Sequence, residues 1–572
     1  MTEIYGPGAP LPPIPDDLTV VQFMLDSHHV ARPVVQPPNA WLIEDSTGRK
    51  VGLPKIRSRV HGLANAISSL WSIGTFAVRS LLSRPRSDGW LLAGEDDVGQ
   101  TANPTFTQSE LEYQLTITKA KAIIAHPTNV QIAIDAARVV GIPDSHIAVF
   151  NVAPDFASSK SHKTVEEIVK QGLSSPLNYR ERRLQPGEGR RKLAFLSLSS
   201  GTTGRPKAVC IPHYSPIANV LQMAHTANLQ KERWEDRPYR AGDIAMALLP
   251  FYHIYGLVVV MHFAIFYGMS VVVIPKFNFV DMLKSIERHR INYIPIVPPI
   301  VVLLCKHPAV NRHDLSSLRA TKSGAAPLSA EVIRQLSERL PNMSIGQSYG
   351  MTETCTTVTF PQLEQKIGTP GSAGRLLPGI IARVIDSDGK LLGYNQPGQL
   401  VVKGPANTLG YLNNEQATKE TFVDGWIYTG DEVVINEDRE LFELIKVKGF
   451  QVAPAELEGH LLDHPDVGDV CVVGLQDDYS GELPLAFVMP SANAVGRMRK
   501  NPAEEARIKA ALIKHVADAK AHHKQLSGGV EFIDVIPKNP SGKLLRRFLR
   551  DRAKEMQASG KLSSMTPAKT KL

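Results

Sequence analysis

The chain has 572 residues, 43% of them hydrophobic and 21% charged, which suits a soluble globular protein of several domains and excludes a disordered or fibrous one. The net charge of +8 invites a nucleic-acid reading, but much of the excess sits near the C-terminal end ("LLRRFLRDRAKEMQ", "KTKL"), the pattern of a solvated helix rather than a binding groove. Cys210, Cys305, Cys355 and Cys471 lie far apart, without C-x-x-C or metal-ligand spacing, and point to a reducing compartment.

Along the chain, the opening "MTEIYGPGAPLPPIPDD" is Pro-rich and lacks an apolar signal core, which argues against secretion. Apolar, β-branched runs follow at intervals: "KAIIAHP", "HIAVFNV", "KLAFLSL", "DIAMALLP", "SVVVIP" and "NYIPIVPP". They alternate with helical patterns such as "FVDMLKSIERHR" and "LSAEVIRQLSERL", which predicts an α/β architecture with largely parallel sheets. Residues 254–274 carry His262 as their only ionisable side chain and are about long enough to span a bilayer. Gly268-Met269-Ser270 divides them, however, so a buried helix followed by a central strand is expected, with no membrane span. From about Gly371 the texture becomes short strands with Gly and Asp turns, a β-rich subdomain. From about Glu443, helices "AELEGHLLDHP" and "EEARIKAALIKHVADA" surround strands "DVCVVGL" and "LAFVMP", an α+β unit. The expected organisation is a large N-terminal domain over 1–442 (two α/β subdomains plus the β-rich one), a small C-terminal domain over 443–555, and a tail over 556–572.

The stretch "AFLSLSSGTTGRPKAVCIPH" (194–213) clusters glycines, hydroxyls and a lysine, the composition of a phosphate-binding loop. It does not fit G-x-x-x-x-G-K-[ST]: Gly201 and Gly204 are too close, Lys207 stands three residues later, Ala208 replaces the hydroxyl, and "AVCI" reads as a strand. "SSGTTGRPK" instead resembles the phosphate loop of the adenylate-forming enzymes, the superfamily of acyl-CoA synthetases, 4-coumarate–CoA ligases, luciferases and peptide-synthetase adenylation domains. Further motifs similar to that family follow in its order: "LPFYHIYGL", "SGAAPL", "GQSYGMTE", "GSAGRLLPG", "GYLNN", "GWIYTGD", "ELIKVKGFQVAPAELE" and "PKNPSGKLLRR".

The resemblance implies an enzyme that activates a small carboxylic acid with ATP and Mg²⁺ and passes the acyl group from an acyl-adenylate to CoA. It implies that Ser199, Ser200, Gly201, Thr202, Thr203, Gly204 and Lys207 cradle the β- and γ-phosphates. Tyr349 would stack on adenine, Ser348 and Thr352 would meet the nucleotide, Glu353 would hold Mg²⁺, and Asp431 would accept hydrogen bonds from the ribose. Ala325 and Gln347 would line both the nucleotide and acyl sites, with His253 and Tyr255 orienting the acid. Lys543 would be the catalytic lysine. Lys446, Lys448 and Gly449 would face CoA after the mobile C-terminal domain turns.

Two segments depart from the family pattern. Relatives carry "DR-x-KE" before "LIK", whereas "NEDRELFELIKVKG" keeps only Glu443 at its place, as if a short deletion crossed the strand that carries the hinge. After Gly74, "TFAVRSLLSRPRSDGWLLA" and "GEDDV" stand where a buried strand and helix are expected, and fit no buried unit. Three functions follow: an acyl- or aryl-CoA ligase; an adenylating enzyme that loads a carrier protein or works without free CoA; and an adenylate-fold protein inactivated by these changes. The opening also resembles fungal members, many of which serve secondary metabolism. The final "TKL" is one residue from the S-K-L peroxisomal address, so a peroxisomal import receptor is an expected partner, with a cytoplasmic location otherwise.

Overall fold

The computed structural model describes residues 3–562 except 9, 36–38, 72–89, 94–97, 105, 151–161, 180–181, 200–205, 230–232, 275, 326–327, 329, 387, 444, 448–449, 453, 478–480, 521–523, 539–543 and 545. A seven-stranded sheet runs in the order Ser344–Gln347, Ala320–Ser323, Tyr293–Ile296, Ile244–Ala247, Ser270–Val273, Leu42–Glu44, Lys50–Val51. All its pairs are parallel except the last. Its central strands are buried along their length because helices cover both faces, which is why they read as unbroken apolar runs.

Segment 254–274 divides as its glycine predicts. A π-helix over Tyr255–Phe263 continues into Ala264–Phe266, turns at Gly268 (φ +81°) and enters the strand Ser270–Val273. No helix among the described residues is long and apolar enough to cross a membrane. His262, in the middle of that run, has Nδ1 2.6 Å from the Leu257 carbonyl oxygen, so one ring nitrogen bonds within the widened helix.

The second α/β sheet has six strands in the order Ile147–Val149, Ala122–Ala125, Trp90–Ala93, Gly99–Ala102, Leu193–Ser199, Lys207–Pro212. Here the expectation for the segment after Gly74 is corrected in part. "WLLA" does form a strand, antiparallel to both neighbours, and Gly99–Ala102 pairs in parallel with Leu193–Ser199. Most of the remaining inserted sequence lies outside the described residues. Beside this sheet the helices Leu53–Trp71 and Val165–Ser174 touch backbone to backbone, and a Cβ at Gly172 would lie 1.7 Å from the Gly62 carbonyl oxygen.

The β-rich unit is a six-stranded antiparallel sheet built around Ile381–Ile385, Gly398–Lys403 and Trp426–Ile435. The altered run before the hinge closes a hairpin on it: Leu441–Glu443 pairs with Trp426–Ile435, and Arg439 (φ +63°) takes the left-handed position of the turn. The strand thought to be crossed by a deletion is therefore present. In the C-terminal unit, Gly481–Pro490 lies between Ile445–Val447 and Val467–Asp477, with Gly529–Phe532 also beside it. Its helix Pro454–Leu462 meets the large domain, where Gln335 Nε2 donates to Asp463 Oδ1 and Lys306 to the Leu462 carbonyl. Overall this is a mixed α/β protein of a large N-terminal and a smaller C-terminal domain.

One residue of the altered six-stranded α/β sheet is ill matched to its place. Gln100 is 1% exposed, yet neither atom of its amide has a hydrogen-bond partner among the described residues. Leaving such a group unpaired costs about 1–3 kcal/mol. Gln100→Leu should therefore raise the melting midpoint, and calorimetry showing an unchanged or lower midpoint would refute this account.

Candidate active site

The phosphate-loop sequence is the connection of a β-hairpin. Leu193–Ser199 and Lys207–Pro212 are antiparallel with Ser199 opposite Lys207, so residues 200–206 join facing strand ends. That is why no helix follows, as a P-loop would need. Ser200, Gly201, Thr202, Thr203 and Gly204 themselves lie outside the described residues, while Ser199 is buried with its hydroxyl unpartnered among those described.

Residues 410–412 form a short rung beside this hairpin. The Cys210 amide donates to the Gly410 carbonyl and the Leu412 amide to the Ala208 carbonyl, bringing Tyr411 over Lys207 with Nζ 4.7 Å from the ring centroid. The Tyr411 hydroxyl donates to Glu353 Oε1 at 2.8 Å. Burial and the adjacent carboxylate push the phenol well above its ordinary pKa, so it stays a donor. Glu353 is 5% exposed and is held at its backbone by Thr408, whose amide and hydroxyl both donate to its carbonyl (3.0 and 2.8 Å). Its second carboxylate oxygen has no protein donor among the described residues. A buried carboxylate with one bound and one open oxygen suits Mg²⁺, which takes few protein carboxylates and keeps its waters.

Tyr349 and Asp431 meet from different subdomains, with the Tyr349 hydroxyl donating to Asp431 Oδ2 at 2.6 Å. Asp431 is aimed by a bulge. Val401 pairs with Tyr428 and Gln399 with Glu432, so residues 429–431 face Leu400 alone, with Gly430 at φ +75°. Thr352 and Glu353 lie in a single 3₁₀ turn, followed by two non-glycine residues in left-handed conformations, Cys355 (φ +51°) and Thr356 (φ +100°). Ala325 is also left-handed at φ +71°. Such backbone costs about 1–3 kcal/mol per residue and collects at functional sites.

Gln347 proves to be spent on the backbone. Its amide accepts from the Leu328 N–H and donates to the Ser372 carbonyl at 3.0 Å, fixing the loop that carries Ala325 rather than offering a free donor. Ser348, by contrast, keeps a buried hydroxyl with no partner among the described residues. Tyr255 is buried and donates to the Lys322 carbonyl at 2.7 Å, and the His253 ring accepts from the Tyr255 amide. Gly256 is required here, since a Cβ would sit 2.0 Å from the Pro250 carbonyl oxygen. Lys446 lies on the strand Ile445–Val447, whereas Lys448, Gly449 and Lys543 lie outside the described residues. Just after Lys543, Arg546 opens the helix Arg546–Ala558, and its guanidinium makes a two-pronged pair with buried Glu458 and donates to the Val472 carbonyl at 2.8 Å.

Sequence reasoning missed Tyr411 and Thr408. The signal for Tyr411 was present in "GYLNN", but a tyrosine's role there needs the rung beside Lys207, which no spacing shows.

The hairpin ending at Ser199 and Lys207, the buried Glu353 carboxylate and the Tyr349–Asp431 pair lie on the motifs that carry the family resemblance. The AMP-binding enzyme family model matches residues 98–412, and the AMP-binding enzyme C-terminal domain matches 456–543. 4-Coumarate–CoA ligase 5 of Oryza sativa subsp. japonica is 33% identical over 551 residues, covering 94% of this chain and 95% of that protein. 4-Coumarate-CoA ligase 1 of Narcissus pseudonarcissus is 37% identical over 79% of each. Among solved structures, the anthranilate CoA ligase AuaEII with anthranoyl-AMP superposes with a TM-score of 0.74 at 22% identity, over 95% of this chain and 99% of that one. ATP-bound MatB from Rhodopseudomonas palustris gives 0.72 at 24%, over 94% and 99%. The chain belongs to the AMP-binding, adenylate-forming enzymes and is an AMP-forming acid–CoA ligase, using ATP and CoA as substrates.

Removing the Tyr411 hydroxyl should loosen Glu353 without disturbing the rung. Tyr411→Phe is expected to keep the melting midpoint within a few degrees and to lower kcat/KM for ATP about tenfold or more, the equivalent of one hydrogen bond to a charged group. Unchanged kinetics in a pyrophosphate-release assay would remove Tyr411 from the site.

Proposed function

We propose that this ligase activates an aromatic acid of the 4-coumarate type, with the residues above in the roles their chemistry suits. The observation that carries the reading is the Lys207–Tyr411–Glu353 line beside the 199–207 hairpin. It brings a cation and a carboxylate with one open oxygen close together beside the hairpin, the chemistry that a triphosphate and its metal call for. The acid comes from the likeness to 4-coumarate–CoA ligases over nearly the whole chain.

In the first step a carboxylate oxygen of the acid attacks the α-phosphorus of ATP, the bond to pyrophosphate breaks, and an acyl-adenylate forms. In the second the CoA thiolate attacks the acyl carbonyl and AMP leaves. Both steps bring negative groups together, so positioning and charge neutralisation carry most of the catalysis. Ser199, the 200–204 loop and Lys207 hold the β- and γ-phosphates. Glu353 holds Mg²⁺, which supplies charge neutralisation. Tyr349 and Asp431 take adenine and ribose, with Ser348 and Thr352 beside the nucleotide. Ala325, His253 and Tyr255 align the acid, and Lys543 enters at the α-phosphate. Lys446, Lys448 and Gly449 serve the CoA step after the small domain turns, a hinge-type change.

With 4-coumarate and ATP, the enzyme should release pyrophosphate and, when CoA is added, form the thioester. Lys543→Ala should lower adenylation by about 10²–10³-fold. A panel of acids that yields no pyrophosphate would defeat the reading. We further propose peroxisomal import through the last three residues. A fluorescent fusion should move to the cytosol when they are removed, and an identical distribution of both forms would dismiss it.

A further inference from the structure

The small domain meets the large one through a cluster of metal-ligating side chains that the reaction described so far does not use. Glu331 stands in the first turn of the helix Ala330–Arg339, on the large domain. His460, in the last turn of Pro454–Leu462, and Asp463, just beyond it, belong to the small domain. One ligand atom from each of the three lies within 4.8 Å of the other two. In a tetrahedral zinc site, bonds of about 2.0–2.2 Å set the donors roughly 3.3–3.5 Å apart, so turning the side chains closes the remaining gap.

Each donor is prepared for such an ion. A carbonyl only accepts, so the contact of His460 Nε2 with the His515 carbonyl oxygen at 3.0 Å puts the proton on Nε2 and the lone pair of the neutral ring on Nδ1. Metal-bound histidines characteristically donate their other ring N–H in this way. His515 stacks on the same ring at 4.1 Å and returns the bond from its own Nε2 to the His460 carbonyl, so the imidazole is held in place. The Glu331 carboxylate has no hydrogen-bond or ion-pair partner among the described residues. Asp463 accepts from Gln335 at Oδ1, which leaves Oδ2 open. Lys306 lies close enough to feel the Asp463 charge, but burial lowers its pKa and its ammonium donates to the Leu462 carbonyl. Two carboxylates this close repel each other, and a divalent ion between them turns that repulsion into attraction. An imidazole among the donors favours zinc over Mg²⁺, which prefers oxygen ligands in an octahedral shell.

We propose that Glu331, His460 and Asp463 form a Zn²⁺ site shared between the two domains, which when filled ties the small domain to the large one and holds it against turning. The effect on turnover rests on the ligase reading above, whereas the binding does not, and the experiment separates the two. Zn²⁺ is titrated by calorimetry into the nucleotide-free full chain, with millimolar Mg²⁺ present as competitor at Glu353. The wild type is compared with Glu331→Gln and Asp463→Asn, which keep the volume of each side chain. The wild type should take up one Zn²⁺ with micromolar affinity, and each substitution should weaken it by about tenfold or more, since even a residue behind a ligand commonly costs that much. Weaker binding in Glu331→Gln shows the large domain supplying a ligand to a site whose other two lie on the small one. Wild-type affinity in either variant would overturn the site.

Turnover supplies the second readout. Pyrophosphate release without CoA, and thioester formation from preformed acyl-adenylate, are each followed with and without Zn²⁺. Glu331→Gln serves as the control for zinc taken by the CoA thiol. In the wild type Zn²⁺ should spare one step and slow the other by about tenfold or more, because a different arrangement of the domains serves each. Equal effects on both steps, or a Glu331→Gln enzyme as sensitive as the wild type, would refute the tie. Glu331-dependent zinc binding in a chain that releases no pyrophosphate with any acid would fail the ligase reading and keep the site.

Discussion

The hydrogen bond from Tyr411 to Glu353 is the constraint on which the site depends. Its donor is carried on a rung beside the Lys207–Pro212 strand, and its acceptor on the 3₁₀ turn after the seven-stranded sheet. Thr408, three residues before the tyrosine, pins the backbone of the same glutamate. One short segment therefore fixes the glutamate at its backbone carbonyl and at one carboxylate oxygen, and sets the Tyr411 ring beside the Lys207 ammonium. The two α/β subdomains could otherwise settle at slightly different separations, and a site for a triphosphate tolerates little of that. Holding the charged groups before ligand arrives is the preorganisation on which electrostatic catalysis depends.

Backbone strain gathers around this constraint. Ala325, Cys355 and Thr356 all sit in the left-handed region, and Thr356 is β-branched, for which such a conformation is a true outlier. They flank the turn that carries Glu353 and the loop fixed by Gln347. The wide π-turns of Tyr255–Phe263 lie against the same region, with the Thr356 hydroxyl bonded to the Ile254 carbonyl. Large cores on both sides hold these conformations in place, and they give side chains directions that regular strands and helices would not.

Much of the fold was legible because it follows from local pattern. The runs "SVVVIP" and "NYIPIVPP" became central parallel strands, and the glycine inside 254–274 turned a span-length apolar segment into a helix and a strand. What escaped reading depended on contacts distant in sequence. "WLLA" looked like part of an unstructured insertion because its strand partners, Gly99–Ala102 and Ala122–Ala125, define it only in space. The run that looked as if a short deletion crossed it still forms a strand, because its pairing with Trp426–Ile435 and the left-handed turn at Arg439 are defined only in space. The backbone bonds of the Gln347 amide, to Leu328 and Ser372, were likewise beyond the motif, because both partners lie about 20 residues away or more in sequence.

The bond between Tyr349 and Asp431 has a consequence for turnover. The aspartate is already satisfied by a phenol at 2.6 Å before any ribose arrives. In the binding mode proposed above, a ribose that takes the carboxylate would replace this hydrogen bond by others, so the contact would fix the ribose with little net gain in binding strength. The exchange would run in reverse as AMP leaves, with the phenol reclaiming the carboxylate. An internal competitor of this kind would keep product affinity low while leaving orientation intact.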